Sequence, residues 1–172
     1  PYYQPIIDNK SGKVVKYECL VRLIDELEDV VSPFYFLDIS VKAKLYHKLT
    51  KIMIDKSFAT FKDTEYDFSI NITASDIFNP DVHDYLLAKI DEYGIASQLI
   101  LEIVESEGFE RYDEIKTFID EIKALGCRIA IDDFGSGYSN FEHIINLNVD
   151  YIKIDGSLIK DIATVEESYI LV

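Results

Sequence analysis

The chain has 172 residues, of which 48% are apolar and 28% are charged, so collagen-like, low-complexity and disordered classes are excluded. Lys and Arg number 17 against 32 Asp and Glu, and the formal net charge of −15 argues against a nucleic-acid polymer as partner. No apolar run is long enough to span a bilayer, so we expect a globular segment without a membrane span. The chain has only two cysteines, which favours reduced thiols and a cytoplasmic location.

Six segments rich in apolar and β-branched residues are predicted to be strands. In chain order they are 2–7, 14–23, 68–72, 99–104, 128–131 and 151–154. The sequence Asp-Asn-Lys-Ser-Gly at 8–12 is typical of a hairpin turn, which makes the first two strands antiparallel neighbours.

Helical patterns separate the later strands. One pattern has apolar residues at Phe36, Ile39, Ala43 and Tyr46. A second occupies 115–125 before Gly126, and a third occupies 81–93 between Asn79-Pro80 and Gly94. Because strands and helices alternate after the hairpin, the sequence predicts an α/β fold with a parallel sheet.

Polar residues lie near the carboxyl ends of successive predicted strands. They are Asn71, Glu102, Asp132 and Lys153, at intervals typical of repeated β-α units. In a (β/α)8 barrel such positions meet at one face, where that fold places its chemistry. For any single residue, the alternative is that it simply begins the following loop.

Glu18 and Arg22 have the same parity on the second predicted strand, so they are expected to face the same side. They could serve a metal ion and a phosphate respectively, or they could form an ordinary ion pair on the strand surface. Several carboxylates in a confined space raise one another's pKa unless a cation is present. An all-oxygen ligand set favours Mg²⁺ or Mn²⁺ over zinc.

Adjacent Asp132 and Asp133 can each serve a different ion, because successive side chains on a strand diverge. Asp133-Phe134-Gly135 also matches the magnesium motif of protein kinases. The other kinase motifs are absent from the sequence, so we reject the kinase interpretation.

Six motifs occur in order along the chain. They are Tyr3-Gln-Pro-Ile6, Glu18-Cys-Leu-Val-Arg22, Asn71-Ile-Thr73, Leu101-Glu-Ile-Val-Glu-Ser106, Asp132-Asp-Phe-Gly-Ser-Gly-Tyr-Ser139 and Tyr151-Ile-Lys-Ile-Asp155. In order and spacing they resemble the EAL family of bacterial cyclic di-GMP phosphodiesterases. The triplet that names the family reads Glu-Cys-Leu here, and Cys19 should point away from Glu18 with little chemical consequence.

The resemblance implies a modified TIM (β/α)8 barrel, truncated here after about six strands. It also implies hydrolysis of cyclic di-GMP to linear pGpG with two Mg²⁺ or Mn²⁺ ions per complete site. The implied metal ligands are Glu18, Asn71, Glu102 and Asp132 for the first ion and Asp133 for the second.

Further roles are implied by the same motifs. Lys153 would hold the attacking water or offset charge on the phosphate, and Glu105 would brace the loop after Asp133. The implied substrate-binding residues are Gln4, Arg22 and Asp155, with Asp155 on the side of the second ion.

The family continues with two more β-α units, so residues 1–172 are predicted to form a single EAL-like domain that is incomplete at its C-terminus. The implied partners are cyclic di-GMP, other signalling domains in a longer chain, and a second copy that could pair with open strand edges. The alternative to an enzyme is a non-catalytic cyclic di-GMP receptor or a degenerate interaction scaffold.

Other residue types receive no functional role. The histidines show no metal-ligand spacing; they are His47, His83 and His143. Cys19 and Cys127 are too few for a disulfide framework and are expected to be reduced, with Cys127 a small buried residue. The aromatic run 34–36 is predicted to pack the helix that caps the barrel, with a contact to guanine bases as the alternative.

Overall fold

The computed structural model describes residues 1–104, 111–135, 146–160 and 162. Its elements in chain order are β1 (Tyr2–Ile7), β2 (Val14–Leu20), β3 (Leu23–Ile24), β4 (Val30–Val31), α1 (Pro33–Lys42), α2 (Tyr46–Phe61), β5 (Asp67–Ile72), α3 (Ala74–Ile77), α4 (Pro80–Tyr93), β6 (Leu99–Val104), α5 (Tyr112–Ala124), β7 (Arg128–Phe134), β8 (Tyr151–Ile154) and α6 (Gly156–Ile159). No helix in these ranges is both long enough and apolar enough to cross a membrane.

The main sheet has six strands in the order β1-β2-β5-β6-β7-β8. The β1–β2 pair is antiparallel, whereas every later pair is parallel. In the hairpin turn, Asp8 accepts a hydrogen bond from the backbone N–H of Ser11, and Gly12 adopts the left-handed conformation. The predicted hairpin and the predicted parallel α/β sheet are therefore confirmed.

Local signals explain two of the crossover helices. Asn79 accepts hydrogen bonds from the first backbone N–H groups of α4, and Gly94 ends that helix at φ 65°. In α5, the buried residues recur at helical spacing along one face, namely Ile115, Phe118, Ile119 and Ile122. Both predicted helices are confirmed.

Three predicted boundaries are wrong. The strand predicted at 14–23 ends at Leu20, and Leu23–Ile24 instead pairs with Val30–Val31 in a separate two-stranded sheet. The helical pattern from Phe36 to Tyr46 is divided between α1 and α2, because Lys44 takes a left-handed φ of 58°. The strand predicted at 128–131 continues to Phe134.

Two of the three aromatic residues at 34–36 do not pack as predicted, whereas Phe36 is half-buried. Phe34 is 86% exposed and Tyr35 is 68% exposed, and α1 has no buried residue. The prediction failed because an aromatic side chain is buried only where another element packs over it, and the residue type does not specify that element.

The core lies between the sheet and its helices. Side chains of one parity on β5, β6 and β7 pack against residues of α2, α4 and α5 such as Phe58, Leu86 and Ile119. Side chains of the other parity point to the opposite face of the sheet.

The opposite face is concave. Lys153 on β8 lies 3.3 Å from Glu18 on β2, although these strands stand four positions apart in the sheet. Four strand spacings in a flat sheet would separate the two backbones by about 19 Å. The sheet must curl for these side chains to meet, as in part of an α/β barrel.

Candidate metal centre

Three acidic side chains converge on the concave face. Glu18 of β2, Glu102 of β6 and Asp132 of β7 each contribute one carboxylate oxygen to a group in which all oxygens lie within 4.8 Å of one another. Asn71 is paired with Glu102 and Val104 with Asp132, so the parallel register places these residues near the carboxyl ends of their strands. The sequence-predicted meeting point of Glu18, Glu102 and Asp132 is thus present in the structure.

The ammonium of Lys153 lies among these carboxylates. Its Nζ is 2.5 Å from Glu102 Oε2, 2.9 Å from Asp132 Oδ1 and 3.3 Å from Glu18 Oε2. Burial disfavours the charged amine, but hydrogen bonds to Glu102 and Asp132 outweigh that cost and raise the pKa of Lys153. The site therefore favours positive charge at its centre.

The Glu102 side chain is fully buried. Desolvation raises the pKa of Glu102 above its usual value. The hydrogen bond from Lys153 and the nearby Ser69 hydroxyl oppose this rise without cancelling it. Glu102 Oε1 has no hydrogen-bond partner within the described ranges. A buried anionic oxygen without a partner fits a bound cation, and the all-oxygen set suits Mg²⁺ or Mn²⁺.

Asp132 and Asp133 are separated by an irregularity in the strand. The β7–β8 register shifts between Ile131 and Phe134, and Asp133 adopts a φ of 55°, which is unusual for a residue with a side chain. Desolvation raises the pKa of Asp133, and the charges of Asp132 and Asp155 raise it further. The bulge keeps Asp133 near the acidic group without making it a member of the three-carboxylate set.

Three other predicted residues lie beside this group. Asn71 is the register neighbour of Glu102, and Gln4 on β1 is paired with Glu18. Arg22 lies just beyond β2, and its Nη1 donates to the carbonyl oxygen of Val21 at 2.7 Å. The alternative ion pair between Glu18 and Arg22 is not found, because Glu18 pairs with Lys153 instead.

Asp155 uses its carboxylate locally. Its Oδ1 accepts a hydrogen bond from the backbone N–H of Ser157 at 2.8 Å, which caps α6 and lowers the pKa of Asp155. The predicted residue Glu105, the motif positions 136–139 and His143 lie outside the described residues.

A cavity of about 390 Å³ lies beside the acidic group and is lined by two of its three carboxylates, those of Glu18 and Asp132. Its polar end is formed by Glu18, Arg22, Asn71, Asp132 and Asp133. Its opposite wall is apolar and is built mostly from α1 and α2; the residues are Pro33, Leu37, Leu49 and Met53. The cavity can therefore accommodate a ligand with one strongly polar part and one flat or apolar part.

Sequence reasoning missed Ser69 and the apolar wall. Ser69 is fully buried, lies beside Glu18 in the register and has the same parity as Asn71 on β5. That parity could have identified Ser69 as a site residue. The wall could not be foreseen, because its residues come from helices whose position depends on packing.

The two thiols lie in the core, away from the acidic group. Cys19 and Cys127 are free and buried. Desolvation raises the pKa of Cys19 to about 12 and that of Cys127 to about 11. The predictions that Cys127 is buried and that the Cys19 side chain points away from Glu18 are confirmed, and the reduced state of the thiols stays a prediction.

Comparison with known proteins gives a consistent result. A family model described as EAL domain matches residues 1–172. The chain is 31% identical to the cyclic di-GMP phosphodiesterase PdeF of Escherichia coli K12, in a match covering 98% of this chain and 23% of that protein. It is 28% identical to the cyclic di-GMP phosphodiesterase PdeB of Shewanella oneidensis, with 99% of this chain and 21% of that protein covered.

The fold also matches a solved structure. The FimX EAL domain from Pseudomonas aeruginosa bound to c-di-GMP aligns with a TM-score of 0.88 and 25% identity, covering 98% of this chain and 70% of that one. The predicted α/β barrel class, present here as a partial barrel, is thereby confirmed. The chain spans less than a quarter of the length of the two phosphodiesterases it matches.

Proposed function

This chain belongs to the EAL domain family, and we propose on that basis that it hydrolyses cyclic di-GMP to linear pGpG. The observation that carries the proposal is the convergence of three carboxylates and one ammonium beside a cavity that two of the carboxylates line. An oxygen-rich cation site beside a cationic side chain suits metal-assisted phosphodiester hydrolysis.

We assign the first cation to Glu18, Asn71, Glu102 and Asp132, and the second to Asp133. Divalent cations bound there would stabilise charge on the phosphate and lower the pKa of a water molecule. The buried Glu102 supports the first assignment through its unpartnered Oε1. The left-handed backbone at Asp133 supports the second, because it separates this carboxylate from that of its neighbour.

Lys153 is proposed to act on the reacting atoms. Its three N–H donors face three carboxylates, and a hydrogen bond to a water molecule or a phosphate oxygen would replace one of these contacts. The bracing role of Glu105 and the second-ion role of Asp155 stay predictions.

Substrate would lie in the cavity beside the carboxylates. We propose that Arg22 and Gln4 contact the dinucleotide and that the apolar wall of α1 and α2 receives a base. The positive charge of Arg22 and Lys153 matters because the net charge of −15 would otherwise repel a dianionic substrate. Three further expectations stay predictions. They are that the EAL-like domain is incomplete within residues 1–172, that other signalling domains occur in a longer chain, and that a second copy forms a homodimer.

The test is product formation from cyclic di-GMP with Mg²⁺ or Mn²⁺, followed by chromatography of pGpG. Glu102→Gln should abolish turnover, whereas Glu65→Gln, at an exposed position, should leave it unchanged. Replacing Mg²⁺ by Ca²⁺ should also suppress turnover, since Ca²⁺ prefers longer bonds and a higher coordination number. Tight dinucleotide binding without any pGpG would instead identify a receptor.

A further inference from the structure

Ser69 is a buried polar residue to which the proposed function gives no role. It lies on β5, between β2 and β6, and none of its surface is exposed. In the parallel register Ser69 is paired with Glu18, and Asn71, two residues further along β5, is paired with Glu102. Ser69 therefore lies on the concave face, flanked by the strands that carry two of the three carboxylates.

The carboxylate of Glu102, on the strand next to Ser69, is held through one oxygen only within the described residues. Glu102 Oε2 accepts a hydrogen bond from Lys153, whereas Oε1 lacks a partner in the part of the chain that the structure describes. Ser69 Oγ lacks a partner of ordinary hydrogen-bond geometry in the same ranges, although it is near enough to Glu102 to act on that carboxylate. One buried donor and one buried acceptor, each without a hydrogen-bond partner in the described ranges, thus lie on the same face of neighbouring strands.

We propose that Ser69 is a positioning residue whose hydroxyl donates to Glu102 Oε1 and so fixes the orientation in which this carboxylate binds the cation. This inference rests on the cation site of the proposed function, but it does not require that the protein hydrolyses cyclic di-GMP. A carboxylate oxygen has two lone pairs, so Oε1 can accept from Ser69 and still bind a metal ion. Hydrogen bonds of this kind orient metal ligands and commonly govern metal affinity.

The alternative is that Ser69 is only a small side chain that fits a crowded position. Ser57 provides a matched comparison, because it is also fully buried and its Oγ also lacks a described partner. Ser57 lies on α2, on the core side of the sheet, where its hydroxyl partly opposes the rise in the pKa of the Cys19 thiol. Loss of the Ser57 hydroxyl should therefore leave the cation site unchanged.

The experiment measures Mn²⁺ affinity of the purified protein by electron paramagnetic resonance of free Mn²⁺ during titration. Ser69→Ala should weaken Mn²⁺ binding about tenfold and alter the spectrum of the bound ion. Ser69→Thr, which keeps the hydroxyl, should restore the affinity to near the parent value. Ser57→Ala should bind Mn²⁺ as the parent does, and thermal unfolding in EDTA should show that each variant is folded.

Equal Mn²⁺ affinity of Ser69→Ala and the parent would overturn the role of Ser69, as would an equal loss in Ser57→Ala. In that case Glu102→Gln tests the cation site separately from the role of Ser69. Loss of Mn²⁺ binding in Glu102→Gln would support the cation site even though the role of Ser69 had been overturned. Absence of Mn²⁺ binding by the parent protein would overturn both. If Ser69→Thr does not fold, the affinity and spectrum of Ser69→Ala decide the question alone.

Discussion

The two faces of the main sheet differ in polarity: one is apolar and the other carries charged side chains. On β6, Leu101 and Ile103 point into the core with the helices, whereas Glu102 between them points to the concave face. The core face is closed by apolar packing, and the concave face gathers charge that is only partly compensated. Substitutions on the two faces should therefore separate stability from cation binding.

The largest effect is expected on the concave face. Glu18→Ala should lower cyclic di-GMP turnover at least about 10²-fold, because it removes a carboxylate from the three-residue group. Turnover assays with Mn²⁺ would measure the loss, with Glu65→Ala as the exposed control. Normal hydrolysis by Glu18→Ala would show that the site is elsewhere.

The next effect belongs to the core face. Leu101→Ala should lower the free energy of unfolding by about 2 to 5 kcal/mol, because it leaves a cavity where a fully buried side chain packed. Chemical denaturation would measure this loss, and the Mn²⁺ affinity of the folded fraction should stay near that of the parent. A large fall in Mn²⁺ affinity would mean that the two faces are coupled through the strand.

A smaller effect should appear in the pH dependence of stability. Burial raises the pKa of Cys127 to about 11, so its neutral thiol stabilises the fold fully below the unfolded pKa near 9. That contribution should be lost as the pH rises from about 9 through about 11. Unfolding at pH 8, 9.5 and 11 should show a steeper decline for the parent than for Cys127→Ala; identical slopes would contradict the burial argument.

The smallest change in stability is expected for the exposed side of α1, a helix that has no buried residue. Phe34→Ser should change the free energy of unfolding by less than about 0.5 kcal/mol, because Phe34 is 86% exposed. Thermal unfolding of this variant beside Leu101→Ala would measure the contrast. A destabilisation comparable with that of Leu101→Ala would mean that Phe34 is covered in the protein.

Short-range patterns determined much of the fold. Runs of apolar and β-branched residues predicted the bounds of β1, β6 and β8, and Asn79, Gly94 and Gly126 marked helix ends through their backbone preferences. The boundaries that failed depend on particular turns, not on apolar periodicity. Leu23–Ile24 leaves the path of β2 and pairs with Val30–Val31 across a turn in which Asp25 accepts hydrogen bonds from the backbone N–H groups of Leu27 and Asp29.

The sequence by itself determined which residue types the site contains, because parity along each strand assigns Glu18, Glu102 and Asp132 to the face opposite the core. The sequence also placed Lys153 at the same edge, but only the tertiary structure decided that its Nζ lies 3.3 Å from Glu18 Oε2, across 135 residues of chain. It also decided that Asp155 caps α6 and that Asp133 takes a left-handed backbone conformation where the β7–β8 register shifts. The physical reason is that periodicity specifies the face of each side chain, whereas sheet curvature arises from strand twist and helix packing summed over all the strands.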